Sequence, residues 1–145
     1  NLNLISIGNG NRFIKDNTKF IFIQMPKQSE NTKAEQCYTK TFPQLVVEVG
    51  GSEFTLQAAL VNKKNHYKSY VVNDRNIYLF DSDYTRNSMG SSVPAVFKAD
   101  GLHEVLSGRM MPRELYSQNP GKYKDIDFYF EDLTENSVYF IYKKN

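Results

Sequence analysis

The chain has 145 residues, of which 40% are hydrophobic and 23% charged, a composition that predicts one globular domain over residues 1–145. Lys and Arg number 18 against 16 Asp and Glu, which argues against a nucleic-acid partner, and no apolar run reaches the roughly 20 residues that a membrane span needs. The single cysteine, Cys37, excludes an internal disulfide framework and a cysteine-based zinc site, and it favours an intracellular protein, cytoplasmic or nuclear.

The first part of the chain predicts β-strands, in keeping with its many Tyr, Phe, Val and Ile residues. Apolar and polar residues alternate over 2–7, and a Gly-Asn turn signal follows before a short edge strand at 12–15. Residues 19–25 are almost continuously apolar, which predicts a central strand buried on both faces. The polar residues 27–41 then predict an exposed loop that contains Cys37.

The middle of the chain contains two predicted hairpins. Residues 44–49 and 54–61 form two strands around a Gly-Gly turn, and residues 66–72 and 77–81 form two more around the polar residues 73–76. The remaining segments predict a loop, two short helical turns and two further strands, at residues 83–94, 101–107, 112–116, 127–130 and 137–143. The predicted fold is therefore mainly β (α+β), an antiparallel sheet of about six or seven strands with a short helical insertion near residues 99–116.

The second hairpin is predicted to bring a histidine next to an aspartate. If Asn73 and Asp74 form a two-residue loop, His66 lies opposite Asp81. If all four polar residues form the loop, His66 faces Asp83 and Asp81 is its diagonal neighbour. Both registers keep His66 and Asp81 on one face, about 5 to 8 Å apart. An imidazole oriented by a carboxylate is the base half of a nucleophilic triad.

The order of motifs resembles the C-terminal half of the catalytic domain of ubiquitin-specific proteases, which are papain-like cysteine peptidases. The matching pieces are an apolar strand, a Phe-Pro pair, and four segments that read FTLQA at 54–58, HYKSYV at 66–71, YLFD at 78–81 and YFIY at 139–142. The resemblance runs from Phe20 to Asp81 in unbroken order and includes the last strand. It implies that His66 is the general base and that Asp81 orients it, with ubiquitin or a ubiquitin-like protein as partner and no cofactor.

The chain departs from that family in ways that bear on its activity. The family's nucleophilic cysteine lies upstream of this region and has no counterpart in residues 1–17, and the zinc-ribbon cysteines of many members are absent. The family usually has Gly before its histidine, whereas this chain has Asn65. The half-domain is therefore expected to be inactive alone and to need a cysteine-bearing segment from its own polypeptide or another chain.

Three other side chains are alternatives at the site. Asp83 competes with Asp81 as the orienting carboxylate. Cys37 is the disfavoured nucleophile, because no predicted helix N-terminus is present to activate its thiol. His103 stands beside Glu104, but adjacent residues do not share a helix face, so no metal site is predicted there. The alternative function is a non-catalytic β-rich protein-interaction module, either a degenerate peptidase or a viral factor.

Overall fold

A computed structural model of the chain describes residues 17–25, 42–86 and 90–145. The predicted helical segment near residues 99–116 and the antiparallel sheet are both confirmed. The described residues form seven strands of this sheet: β1 (Phe20–Gln24), β2 (Val46–Val49), β3 (Ser52–Lys63), β4 (His66–Asn73), β5 (Asn76–Arg86), β6 (Ser92–Lys98) and β7 (Ser137–Lys144). Three helices lie between β6 and β7: α1 (Leu102–Leu106), α2 (Pro112–Gln118) and α3 (Ile126–Asn136).

The strands are ordered β1-β7-β3-β4-β5-β6, and β2 pairs with the first part of β3. Strands β2 to β6 follow one another through short connections, as local antiparallel hairpins do. The last strand, β7, lies between β1 and β3, with Phe22 opposite Ile141 and Ala59 opposite Phe140. The sheet therefore combines local hairpins with one long-range insertion.

The helices pack on one face of this sheet. Strand residues that alternate towards the helices are almost completely buried, and apolar residues from all three helices complete the core. Its most buried large side chains include Phe54, Leu56, Val61, Tyr70, Ile77, Leu102, Leu115, Ile126, Leu133, Phe140 and Tyr142. Burying one such apolar side chain stabilises a fold by about 1.5–3 kcal/mol, so this layer is the main source of stability.

A glycine is required at the start of the helical segment. Gly101 has a φ of 84°, and a Cβ atom there would lie 2.9 Å from side-chain atoms of Leu115 and Tyr123. Both the left-handed backbone and the close approach exclude a larger residue without local movement. Gly101 is thus the turn residue immediately before α1, and it lies against Leu115 of α2.

Three predicted elements differ from the structure. Residues 127–130 belong to α3 and not to a strand, because Ile126, Tyr129 and Leu133 recur at helical spacing and face the core, and this overrides the β preference of the aromatic run. The predicted loop at 83–94 is largely strand, since β5 continues to Arg86 and β6 begins at Ser92. Polar side chains suit this solvent-exposed end of the sheet.

The third difference concerns β1. It lies at one end of the described sheet and pairs only with β7 there, whereas its apolar sequence predicted a central position. Phe20 and Phe22 are 47% and 68% exposed, so only one face of the strand, with Ile21 and Ile23, packs against the core. The predicted elements within residues 2–15, and the loop at 27–41, lie outside the described residues.

Candidate functional site

His66 is the first residue of β4 and follows a tight turn. Lys64 and Asn65 form the two-residue connection from β3, with φ values of 50° and 63°, and Lys63 pairs with His66. Two successive left-handed residues are the signature of a type I′ hairpin turn. Asn is the residue other than Gly that best tolerates this conformation, which accounts for Asn65 at the position where the resembling family has Gly.

The β4–β5 turn sets the register that faces His66. Asp74 and Arg75 form the loop, and Asn73 pairs with Asn76. This is the register that the four-residue alternative predicts, although the loop itself has two residues. His66 would accordingly lie opposite Asp83, with Asp81 as its diagonal neighbour.

The β4–β5 ladder ends before it reaches His66. Among the described residues, the β4–β5 ladder ends at the pair Ser69 and Phe80. On the other side of β5, the register with β6 shifts between Asp81 and Thr85, as it does at a β-bulge. Asp81 therefore lies one residue beyond the end of the β4–β5 ladder and is the last residue that pairs with β6 before the bulge. Bulges of this kind re-aim side chains next to functional sites.

A side-chain hydrogen bond bridges the gap between the two strands. His66 Nε2 lies 2.8 Å from Asp81 Oδ1, and the backbone N–H of Asp83 donates to the same oxygen over 3.0 Å. An ionised carboxylate can only accept, so His66 Nε2 is the donor in this contact, and in the neutral imidazole the lone pair is then on Nδ1. The arrangement therefore leaves a basic ring nitrogen facing away from the aspartate.

The two partners differ in their exposure to solvent. The Asp81 side chain is 9% exposed, whereas that of His66 is 36% exposed. The carboxylate is thus covered, while the imidazole remains accessible from solvent. This asymmetry suits a base that must meet a second molecule or segment.

A second polar cluster, which we call the Asp132 clamp, lies on the same face of β4. It comprises Lys68, Tyr70, Asp132 and Asn136. Asp132 Oδ2 accepts hydrogen bonds from Lys68 Nζ at 2.8 Å and from Tyr70 Oη at 2.7 Å, and Asn136 donates to Oδ1 over 2.9 Å. Burial, followed by the charge of Asp132 and the hydrogen bond to it, raises the pKa of Tyr70 far above its ordinary value.

The sequence did not predict the Asp132 clamp. Residues 127–130 were expected to form a strand, so Asp132 was not placed on a helix. The available signal was the spacing of Tyr129, Asp132, Leu133 and Asn136, which puts these side chains on one helical face. An acidic residue in an otherwise apolar helix face requires a buried partner, and Lys68 provides it.

The other predicted residues have different positions. Asp83 is half-buried and supplies a backbone donor to Asp81. Cys37 lies outside the described residues. His103, on α1, lines a polar cleft of about 110 Å³ with Arg75 from the β4–β5 turn. The described part of the chain contains no cluster of three His, Cys, Asp or Glu side chains that could hold a metal ion.

No family model and no curated protein matches the chain. Within residues 17–25, 42–86 and 90–145, no helix has the length and apolar character needed to cross a membrane.

Proposed function

We propose that this chain is the His/Asp-bearing half of a cysteine peptidase that resembles the ubiquitin-specific proteases. One observation carries the proposal: the two residues that the family resemblance selects, His66 and Asp81, are in hydrogen-bonding contact at 2.8 Å. The contact joins two strands at a bulge, with a buried carboxylate and an accessible imidazole. Those are the properties that a general base and its orienting group require.

In the proposed reaction, a thiol from a second segment approaches His66 Nδ1. His66 takes the thiol proton, and the thiolate attacks the carbonyl carbon at the C-terminus of ubiquitin or a ubiquitin-like protein. The C–N bond then breaks as His66 returns the proton to the leaving amine. The acyl group stays on the thiol sulfur as a thioester. Water then hydrolyses the thioester, releasing the carboxylic acid and regenerating the thiol. Asp81 stabilises the imidazolium and fixes the ring throughout.

The nucleophile is the missing part of this proposal. The family resemblance assigns it to a cysteine-bearing segment of the same polypeptide or of another chain, and Cys37 is the alternative within this sequence. The proposed half-domain would bind ubiquitin by itself but cleave its conjugates only when a thiol is supplied. A ubiquitin partner also places the proposed activity in the cytoplasm or nucleus.

Binding and turnover test the proposal separately. Titrating the chain into ¹⁵N-labelled ubiquitin should shift resonances of the ubiquitin C-terminal tail, and ubiquitin truncated before that tail should bind more weakly. A fluorogenic ubiquitin C-terminal amide should be turned over only with a cysteine-bearing segment present, and His66→Ala should abolish that turnover.

The variants also separate the alternatives. Turnover by the chain alone that disappears in Cys37→Ala would identify Cys37 as the nucleophile. Tail-directed ubiquitin binding that is unchanged in His66→Ala, without turnover under any condition, would favour the non-catalytic interaction module. Absence of both ubiquitin binding and turnover would refute the proposal.

A further inference from the structure

The first three residues of β4 lie beyond the end of the β4–β5 ladder. Lys63 and Val61 of β3 pair with His66 and Lys68, and the β4–β5 register ends at Ser69 and Phe80. Two side-chain contacts tie this segment to β5 and to α3. His66 reaches Asp81 on β5, and Lys68 reaches Asp132 on α3.

The Asp132 clamp is suited to fix this segment in place. The Asp132 side chain is short, and its Oδ2 atom must satisfy Lys68 and Tyr70, two residues apart on one face of β4. Asn136, one turn later on α3, holds the other carboxylate oxygen. A carboxylate bonded at three points from two elements restricts both the height and the rotation of α3 against β4.

Burial makes this geometry demanding. Asp132 is 4% exposed and Tyr70 2%, and the side chain of Lys68 is 10% exposed beneath the ring of Phe128, whose centroid lies 5.1 Å from Nζ. Replacing a buried ion pair with apolar residues of similar volume is often neutral or stabilising, so net stability alone does not account for such a pair. In this chain the pair joins α3 to the β4 segment that carries His66.

We propose that Asp132 is a positioning residue for His66. It anchors Lys68, two residues from His66 on the same face, and so holds the imidazole at hydrogen-bonding distance from Asp81 where β5 no longer pairs with β4. The catalytic significance of this role rests on the proposed function, but the positioning itself is measurable without any peptidase activity.

The test follows the ring Nε2–H proton of His66 by NMR in the full chain. This proton is observable when its hydrogen bond to Asp81 slows exchange with water. We expect Asp132→Ala to make its exchange about tenfold faster, because the segment opens locally more often. Asp132→Asn should restore part of the protection, since its side-chain oxygen can still accept from Lys68 or Tyr70.

Two controls separate positioning from general loss of stability. Ile126→Val, in the core of the same helix, should leave the exchange rate of the His66 ring proton unchanged. The triple variant K68M/Y70F/D132L replaces three of the four members of the Asp132 clamp with apolar residues, leaves the half-buried Asn136, and should fold. If that folded variant keeps wild-type protection at His66, packing alone positions the ring and the proposal is overturned. Faster exchange in the triple variant, with Ile126→Val unchanged, supports the proposal whether or not ubiquitin is cleaved.

Discussion

His66 and Asp81 contact each other diagonally across the β4–β5 ribbon, and the residue that the register places opposite His66 is Asp83. The register of β5 with β6 shifts after Asp81, and the backbone N–H of Asp83 donates to the same Asp81 oxygen that contacts the imidazole. Asp83 therefore contributes through its main chain, while Asp81 contributes its side chain. This division distinguishes the two carboxylates that the sequence left as alternatives.

Removing the Asp81 carboxylate should release the His66 ring. In Asp81→Ala, the ring Nε2–H proton loses its acceptor, so its NMR signal should broaden beyond detection through exchange with water. Asp83→Ala is the matched control, because it keeps the backbone N–H that donates to Asp81. Loss of the signal in Asp83→Ala, with retention in Asp81→Ala, would reverse the two assignments.

The Asp132 clamp makes a specific prediction about stability. Lys68→Met leaves a buried carboxylate without its cation and should lower the free energy of unfolding by about 3–5 kcal/mol. Tyr70→Phe removes one hydrogen bond to a charged group and should lower it by about 1.5–3 kcal/mol. Urea unfolding followed by circular dichroism measures both changes.

The triple variant K68M/Y70F/D132L provides the comparison for those losses. Because it leaves neither charge nor hydroxyl buried without a partner, its unfolding free energy should lie closer to that of the wild type than that of Lys68→Met does. If the triple variant loses as much unfolding free energy as its single substitutions lose together, the cluster contributes net stability and not only specificity.

Buried tyrosines should make the fold sensitive to alkaline pH. Burial raises the pKa of Tyr70, Tyr129 and Tyr142 above the ordinary value of 10.0, so the folded chain keeps these protons when the unfolded chain has lost them. Their contribution to stability is complete below about pH 10 and decreases above it, by about 1.4 kcal/mol per pH unit for each tyrosine.

Tyrosinate absorbance tests this directly. We expect Tyr70 and Tyr142, whose pKa values are raised furthest, to ionise only as the chain unfolds. In Tyr142→Phe, the free energy of unfolding should fall less steeply with pH, because unfolding then releases one proton fewer. Gradual ionisation of all tyrosines in a chain that stays folded would contradict the assignment.

The pKa of His103 should be lower than that of an ordinary histidine. Burial lowers its pKa from 6.5, the neighbouring Arg109 and Arg75 lower it further, and Glu104 opposes them. Its contribution to stability is therefore present above about pH 6.5 and is lost as the pH falls through its lowered folded value. NMR titration of the His103 ring protons measures the midpoint, and Arg109→Gln should raise it. A midpoint above 6.5 would show that Glu104 dominates.

A substitution in the turn before His66 should stabilise the fold. Lys64 adopts a left-handed conformation that costs a residue other than Gly, Asn or Asp about 1–2 kcal/mol. Lys64→Asn should therefore raise the free energy of unfolding by up to about 1 kcal/mol without altering the pairing of Lys63 with His66. Asn65→Ala places a residue that tolerates the left-handed conformation less well in the same turn. It should lower the free energy of unfolding, and chemical denaturation measures both changes.

The hairpin parts of the fold were predictable because their signals are local. The turn residues between β-branched and aromatic runs limited the pairing of β4 with β5 to two registers. Both registers keep His66 and Asp81 on one face. Which register occurs depended on where the loop closes, which the polar residues 73–76 left open. The bulge after Asp81 was not predictable, since it depends on how β5 fits both β4 and β6.

Elements that depend on distant packing were harder to predict. The aromatic run at 127–130 favours a strand locally, but Tyr129 packs against Tyr70 and the segment closes the core as a helix. The edge position of β1 likewise depends on where β7 inserts. The Asp132 clamp combines both difficulties, because its members come from β4 and α3.

The position of β7 has a consequence for the order of folding during synthesis. The hairpins from β2 to β6 can form as soon as they leave the ribosome, but β1 has its described pairing only with β7, which is made much later. Until then, the exposed edges of β1 and β3 lack their neighbour. Long-range pairing of this kind slows folding and prolongs the exposure of unpaired strands. Ribosome-bound chains that stop before Ser137 should therefore depend on chaperones that hold extended apolar segments.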